Sequence, residues 1–184
     1  MKAPATNSSL DVAYWFINRA EQDNAYLENE KLQHLLFLAQ KEYAQTYADQ
    51  MLMPCIFLCD EHGFFEPTLK KIFAQGRPFM PPVQFDDRTT FFLENIWQHY
   101  SLLSLSECKK VIMRLPLYIQ CYRQGEHSVV EWNSLIDKSQ KNDILYDSGL
   151  KSTFRKKVLI SQNGPVVVSQ WRPRKVTNKD YLHE

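Results

Sequence analysis

Glycine is scarce in this chain, with five in 184 residues. A loop whose backbone N–H groups cradle a phosphate needs several glycines close together and is not expected. Cysteine is scarce too. Cys55, Cys59, Cys108 and Cys121 show no framework spacing, which speaks against a disulfide scaffold and for reduced thiols in the cytoplasm. No window approaches 18 consecutive apolar residues, so no membrane-spanning helix is expected and the membrane drops out as a partner. The opening Met1-Lys2-Ala3-Pro4-Ala5-Thr6-Asn7 has no apolar stretch to act as a signal-peptide core. Nothing matches a nucleophile elbow or a metalloprotease helix. These absences point away from an enzyme and from any cofactor.

What is present is globular. Hydrophobic residues make up 44% and charged residues 23%, ordinary values for a chain with its own core. The net charge of +1 hides two unlike parts. Residues 1–150 hold 14 Lys+Arg against 19 Asp+Glu, a charge of −5, whereas residues 151–184 hold 8 against 2, a charge of +6. A mildly acidic body therefore carries a basic extension.

The body reads as a series of capped helices. Ser8 with Asp11 suggests a capping box ahead of Leu10, Ala13, Tyr14 and Ile17. Asn29 is the expected cap of a second helix with its core face at Leu32, Leu35, Leu36, Ala39 and Tyr43. Residues 51–58 are an apolar run broken by Pro54, either an edge strand or a buried loop. Asp60-Glu61-His62-Gly63 is a turn signal, and Thr68–Ala74 suits a short helix. The stretch from Gly76 to Asp86, with Pro78, Pro81 and Pro82, is an irregular connection whose Phe79, Met80, Val83 and Phe85 are expected to need burial. Asp87 is the expected cap of a helix carrying Phe92, Ile96, Trp97 and Tyr100. Ser104-Leu105-Ser106-Glu107 is a capping box for a helix that stops before Pro116, and Ser128-Val129-Val130-Glu131 is another, leading into Trp132, Leu135 and Ile136. Beyond a polar stretch at 139–153, Val158-Leu159-Ile160 and Val166-Val167-Val168 flank Asn163-Gly164 and suggest a β-hairpin. Pro165, however, would fall where the closing N–H is usually donated. The expected fold is mainly α. A compact domain of five to six helices with a short β element covers residues 1–145, followed by the basic extension at 146–184.

Two stretches carry a resemblance. Asp11-Val12-Ala13-Tyr14-Trp15-Phe16-Ile17, then Lys31-Leu32-Gln33-His34-Leu35-Leu36-Phe37-Leu38-Ala39-Gln40-Lys41-Glu42-Tyr43, resemble the opening of the Panacea domain. Leu93-Glu94-Asn95-Ile96-Trp97-Gln98-His99-Tyr100 followed by Leu105-Ser106 is similar to its second half. The similarity covers residues 9–138, strongest at 31–43. His34 stands where the family usually has lysine. Of its Tyr-Gly-Pro-Val turn only the glycine survives, at His62-Gly63. The family comprises small bacterial and phage-associated proteins that include antitoxins. The resemblance implies binding of a cognate toxin, with presentation to a protease as one route of disposal. It makes Gln33, His34, Gln40, His62 and Gly63 the candidate partner contacts of the body. Gln33 and Gln40, seven apart, share a second helix face, where they bond a neighbouring backbone or touch the partner.

Other chemistry is weaker. Cys55, Cys59 and His62 are zinc-ligand types, but an extended 55–59 segment would hold the two Cα atoms about 13 Å apart, too far for one ion. No metal is expected. Asp60-Glu61-His62 reads as a solvated turn and not as an acid–base cluster. The extension sets Arg155-Lys156-Lys157 and Trp171-Arg172-Pro173-Arg174-Lys175 beside one another in composition, cations with an aromatic. Three fates stay open for these residues: a solvated or docked face, an acidic protein surface reached through Trp171, Arg172, Arg174 and Lys175, or nucleic acid bound through Arg155, Lys156, Lys157, Arg172, Arg174 and Lys175.

Overall fold

The computed structural model describes residues 3–47 and 50–136, and the backbone of 157–161 and 164–168. Helix α2 (Asn29–Thr46) is the centre of the body. The predicted stripe of Leu32, Leu35, Leu36, Ala39 and Tyr43 is buried, but so is every other residue from Leu32 to Gln45. The helix is enclosed because α1 (Ser9–Gln22), α3 (Pro67–Ala74), α4 (Asp87–Tyr100), α5 (Leu105–Met113), α7 (Trp132–Leu135) and strand β2 (Gly63–Phe65) all pack on it.

Enclosure forces the polar side chains of α2 to find partners, since an unpaired buried amide is costly. Gln40 does so at both ends. Its Nε2 donates to the Met53 carbonyl at 3.2 Å and its Oε1 accepts from the Met53 N–H at 3.1 Å. Residues 51–57 are thereby held as a loop that puts Leu52, Met53 and Phe57 in the core and leaves Pro54 and Ile56 exposed. The Gln45 amide donates to the Leu135 carbonyl at 3.2 Å and so seats α7.

Strand β1 (Leu58–Asp60) pairs antiparallel with β2 and, on its other edge, with β3 (Ser128–Val129), giving the order β2-β1-β3. Phe64 stacks on Phe37 of α2, ring centroids 4.0 Å apart, and anchors the hairpin to the core. Seven helices lie among the described residues, so the body is mainly α with a short sheet.

The caps follow the sequence with several shifts. Ser104 and Glu107 form the capping box of α5, as expected. Ser8 caps α1, but its side chain accepts from the Leu10 N–H instead of pairing with Asp11. Glu28, not Asn29, precedes α2, and Asn29 instead donates to the Phe73 carbonyl at 3.2 Å. Asp86, not Asp87, caps α4 by accepting from Thr89. Pro116 does end α5, but it also opens α6 (Pro116–Gln124), which was not anticipated. Proline suits the first helical position because its missing N–H has no intrahelical partner there. Ser128 opens no capping box. It lies in β3, its hydroxyl donating to the Cys121 carbonyl at 2.7 Å, and Glu131 precedes α7. The proline-rich connection also departs from expectation, because Phe79 is 97% exposed.

The chain divides into two units, Met1–Gln140 and Lys141–Glu184. In the second, β4 (Lys157–Ser161) and β5 (Gly164–Val168) pair antiparallel, with Ser161 opposite Gly164 and Ile160 opposite Pro165. The connecting residues are Gln162-Asn163, one position earlier than the expected Asn163-Gly164. Next to a two-residue connection the 161/164 pair exchanges hydrogen bonds and the 160/165 pair does not. The nitrogen of Pro165 therefore faces away from β4, and its missing N–H leaves the ladder intact.

Gln40→Ala leaves the buried Met53 N–H and carbonyl without partners and is expected to destabilise the body by about 2 to 3 kcal/mol. Urea unfolding of the purified variant measures it; a change within error of zero would mean the Met53 loop is not held by this amide.

Candidate functional site

A cleft of about 280 Å³ opens between the first turns of α2, the β1–β2 turn and α3. Phe64, Phe65, Phe73 and Ala74 supply its apolar surface, and Asn29, Glu30, His62 and Lys70 its polar groups. Gln33, His34, Asp60 and Gly63 complete the lining.

Asp60 organises the turn. Its Oδ1 accepts from the N–H groups of His62 at 2.8 Å and Gly63 at 3.1 Å, a local bond that favours this residue type before a tight turn. Oδ2 accepts from Lys70 Nζ at 2.9 Å, and the same ammonium lies 3.9 Å from the centroid of Phe65. Lys70 thus clamps α3 to the hairpin by an ion pair and a cation–π contact. Burial pushes the Asp60 carboxyl up, but the Lys70 ammonium and the His62 N–H outweigh it, and the net shift is downward. The expected solvated turn is correct for Glu61 and His62, which are exposed, and wrong for Asp60, which is 5% exposed and fully engaged.

His34 is buried behind the turn, with Nε2 3.1 Å from the His62 carbonyl. That contact assigns the proton to Nε2, which donates to the carbonyl. Burial lowers the pKa of the ring below the ordinary 6.5, although the carbonyl pulls the other way, and so favours the neutral imidazole. Gly63 has φ +133°, and a Cβ there would lie 3.1 Å from His34 Nε2. Only glycine gives the turn this backbone and leaves the ring its place.

Four of the five body residues singled out in the sequence meet at this cleft: Gln33, His34, His62 and Gly63. Gln33 nevertheless has a structural bond, its Oε1 accepting from the Glu66 N–H at 2.8 Å. Gln40 lies elsewhere. At 1% exposure, with its amide spent on Met53, it is a core residue and not a partner contact. Phe65, Lys70 and Phe73 were missed. The spacing of Lys70, Phe73 and Ala74 on one helix face was the available signal, but a single face says nothing about what it meets. Of the extension, Arg155, Lys156, Trp171, Arg172, Arg174 and Lys175 lie outside the described residues, and Lys157 begins β4.

Cys59 is buried and Cys55 half-buried. Burial pushes the Cys59 thiol up to about 12, against the thiolate a metal requires. Among the described residues no three His, Cys, Asp or Glu side chains are grouped as a metal ion would need. No helix among them is long and apolar enough to cross a membrane. With Asp60 and His34 engaged in holding the turn, the cleft offers a ligand mainly apolar surface with a polar margin.

Comparison of the chain with protein-family models, curated proteins and solved structures finds no match.

Gly63→Ala is expected to destabilise the body by about 1 to 3 kcal/mol, from strain at positive φ and contact with the His34 ring; thermal unfolding measures this. His34 also makes stability pH-dependent. The unfolded chain binds the His34 proton more readily than the folded one, so stability is full above pH 6.5 and falls as the pH drops through that value toward the lower folded pKa. Denaturant midpoints at pH 8, 6.5 and 5 should show this decline, and His34→Gln should remove its part of the slope.

Proposed function

We propose that this chain is a non-enzymatic partner-binding protein of the antitoxin type, which neutralises a cognate toxin by holding it on the helical body. The partner class comes from the resemblance to the Panacea domain. The observation that carries the proposal is the convergence of that resemblance on one surface. Gln33 and His34, from the stretch where it is strongest, and His62 and Gly63, at the place of the family's glycine turn, line a single cleft. An apolar slot with charged residues at its margin suits a protruding apolar side chain of another protein. Delivery of the bound toxin to a protease is one outcome such binding allows.

A second proposal concerns the basic extension. Its 8 Lys+Arg against 2 Asp+Glu over residues 151–184 favour contact with phosphates, and an antitoxin that regulates its own operon would use both surfaces. Deletion of 151–184 should then abolish a salt-sensitive DNA or RNA association and leave toxin binding intact, as read by filter binding at increasing salt.

The main test is co-expression with the product of the neighbouring reading frame. That product should be toxic alone and harmless with this chain. Ala74 is exposed and lines the cleft, so Ala74→Trp fills the slot without entering the core. It should weaken binding at least about tenfold and abolish growth rescue with the melting temperature unchanged. A harmless neighbour from which nothing co-purifies would sink the antitoxin proposal.

A further inference from the structure

The connection between α3 and α4 combines features that a mere spacer does not require. Gly76, at φ +108°, turns the chain out of α3. From Arg77 to Pro82 the sequence is Arg-Pro-Phe-Met-Pro-Pro. Proline fixes its own φ near −65° and pushes the preceding residue toward extended conformations. Arg77, Pro78, Met80, Pro81 and Pro82 are all restricted in this way, and Phe79 alone is not. Between Arg77 and Gln84 the backbone makes no backbone hydrogen bond among the described residues. Covalent restriction therefore favours an extended, polyproline II-like path for the segment, with the carbonyls and the few N–H groups it has left open to a partner.

One end of it is anchored. The Arg77 guanidinium donates to the Leu27 carbonyl and lies 4.6 Å from the centroid of the Tyr26 ring, which is 77% exposed. Two residues on, Phe79 is 97% exposed, the most exposed large apolar side chain among the described residues. Arg and Tyr are residue types enriched in binding hot spots, and here they stack on each other next to a segment that carries an exposed Phe. Prior stiffening lowers the entropy lost when such a segment is bound.

We propose that residues 76–86 form a recognition element of the polyproline type, which seats Phe79 in an apolar pocket within the aromatic-lined groove of a partner protein, with Arg77 and Tyr26 fixing its N-terminal end. Grooves of that kind accept extended proline-containing strands because the ligand is already in shape. Nucleic acid fits less well. Residues 78–85 carry no cation, and Asp86 and Asp87 follow them. The proposal holds whether or not the partner is a toxin, and it uses a different surface from the cleft.

The test places a photo-crosslinking phenylalanine analogue at position 79 of the full chain in its host, with position 102 as control because Leu102 is also strongly exposed, at 73%. The expected result is a protein adduct at 79 that is absent at 102, mapping beside aromatic residues of the captured protein. That protein, purified, should bind the full chain at least about tenfold more weakly when Phe79→Ala is introduced. Pro81→Ala with Pro82→Ala should also weaken it, with the melting temperature unchanged in both variants. The proposal is overturned by no adduct above the control, by an adduct with nucleic acid or a second copy of this chain, or by equal affinity for Phe79→Ala. A fall in melting temperature for Phe79→Ala would overturn it too, since the ring would then be packed on its own chain. Ala74→Trp reports on the cleft independently, so failure of one surface is distinguishable from failure of the other.

Discussion

The burial of α2 on every side is the constraint from which the body follows. A helix with one apolar stripe can leave its polar face in water. This one cannot, because fourteen consecutive residues from Leu32 to Gln45 are enclosed and six of them are Gln33, His34, Gln40, Lys41, Glu42 and Gln45. Their partners are largely backbone groups of irregular segments. Gln40 holds the Met53 loop, Gln33 the start of α3, His34 the β1–β2 turn and Gln45 the end of α7. Loops that would otherwise be chosen by local propensity are positioned by side chains of one helix. Lys41 is the extreme case, with Nζ 3.3 Å from Gln45 Oε1 and 3.8 Å from Glu42 Oε1; burial lowers its pKa while Glu42 pulls it back.

The cleft is a by-product of the same arrangement. Two of the loop anchors, Gln33 and His34, sit on the first turns of α2, and the hairpin and α3 that they hold form the other walls. Asp60 and Lys70 complete the join from outside. At another join, Arg19 makes a two-pronged pair with Glu94 at 2.9 and 3.0 Å and also reaches Asp23, while the Trp97 indole donates to Asp23 at 2.8 Å. Planar guanidinium–carboxylate geometry of this kind fixes the angle between α1 and α4 as well as attracting them.

Two surface features of opposite character result from this arrangement. The cleft is concave and held from behind by buried hydrogen bonds. The proline-rich segment is restricted covalently, tied at its start by Arg77, and exposes Phe79. The basic extension adds a third element whose chemistry is legible in charge alone.

Periodicity and capping residues were enough to place α1, α2, α4 and α5 and to recognise a turn at 60–63, because those signals act within four residues along the chain. The helix at 116–124 is not legible in the same way, because proline marks the stop of one helix as readily as the first residue of the next. Polarity by itself misplaced Asp60 and Phe79, and for Gln40 it left backbone bonding and partner contact as alternatives, of which the structure shows the first. An amide only 1% exposed, a carboxylate only 5% exposed and a phenylalanine 97% exposed each invert the usual preference. The Met53 backbone that engages Gln40 is 13 residues away, Asp60 adds Lys70, 10 residues away, to its local turn bonds, and Phe79 finds no place in the core of the described residues. The sequence by itself determined the helical class, the charge division and the stiffness of the 77–82 segment, since all three are local or additive properties. Only the tertiary structure decided that α2 has no outer face, and hence which polar residues are anchors and which stand at a surface, because burial depends on every element that packs around a residue and not on the residue itself.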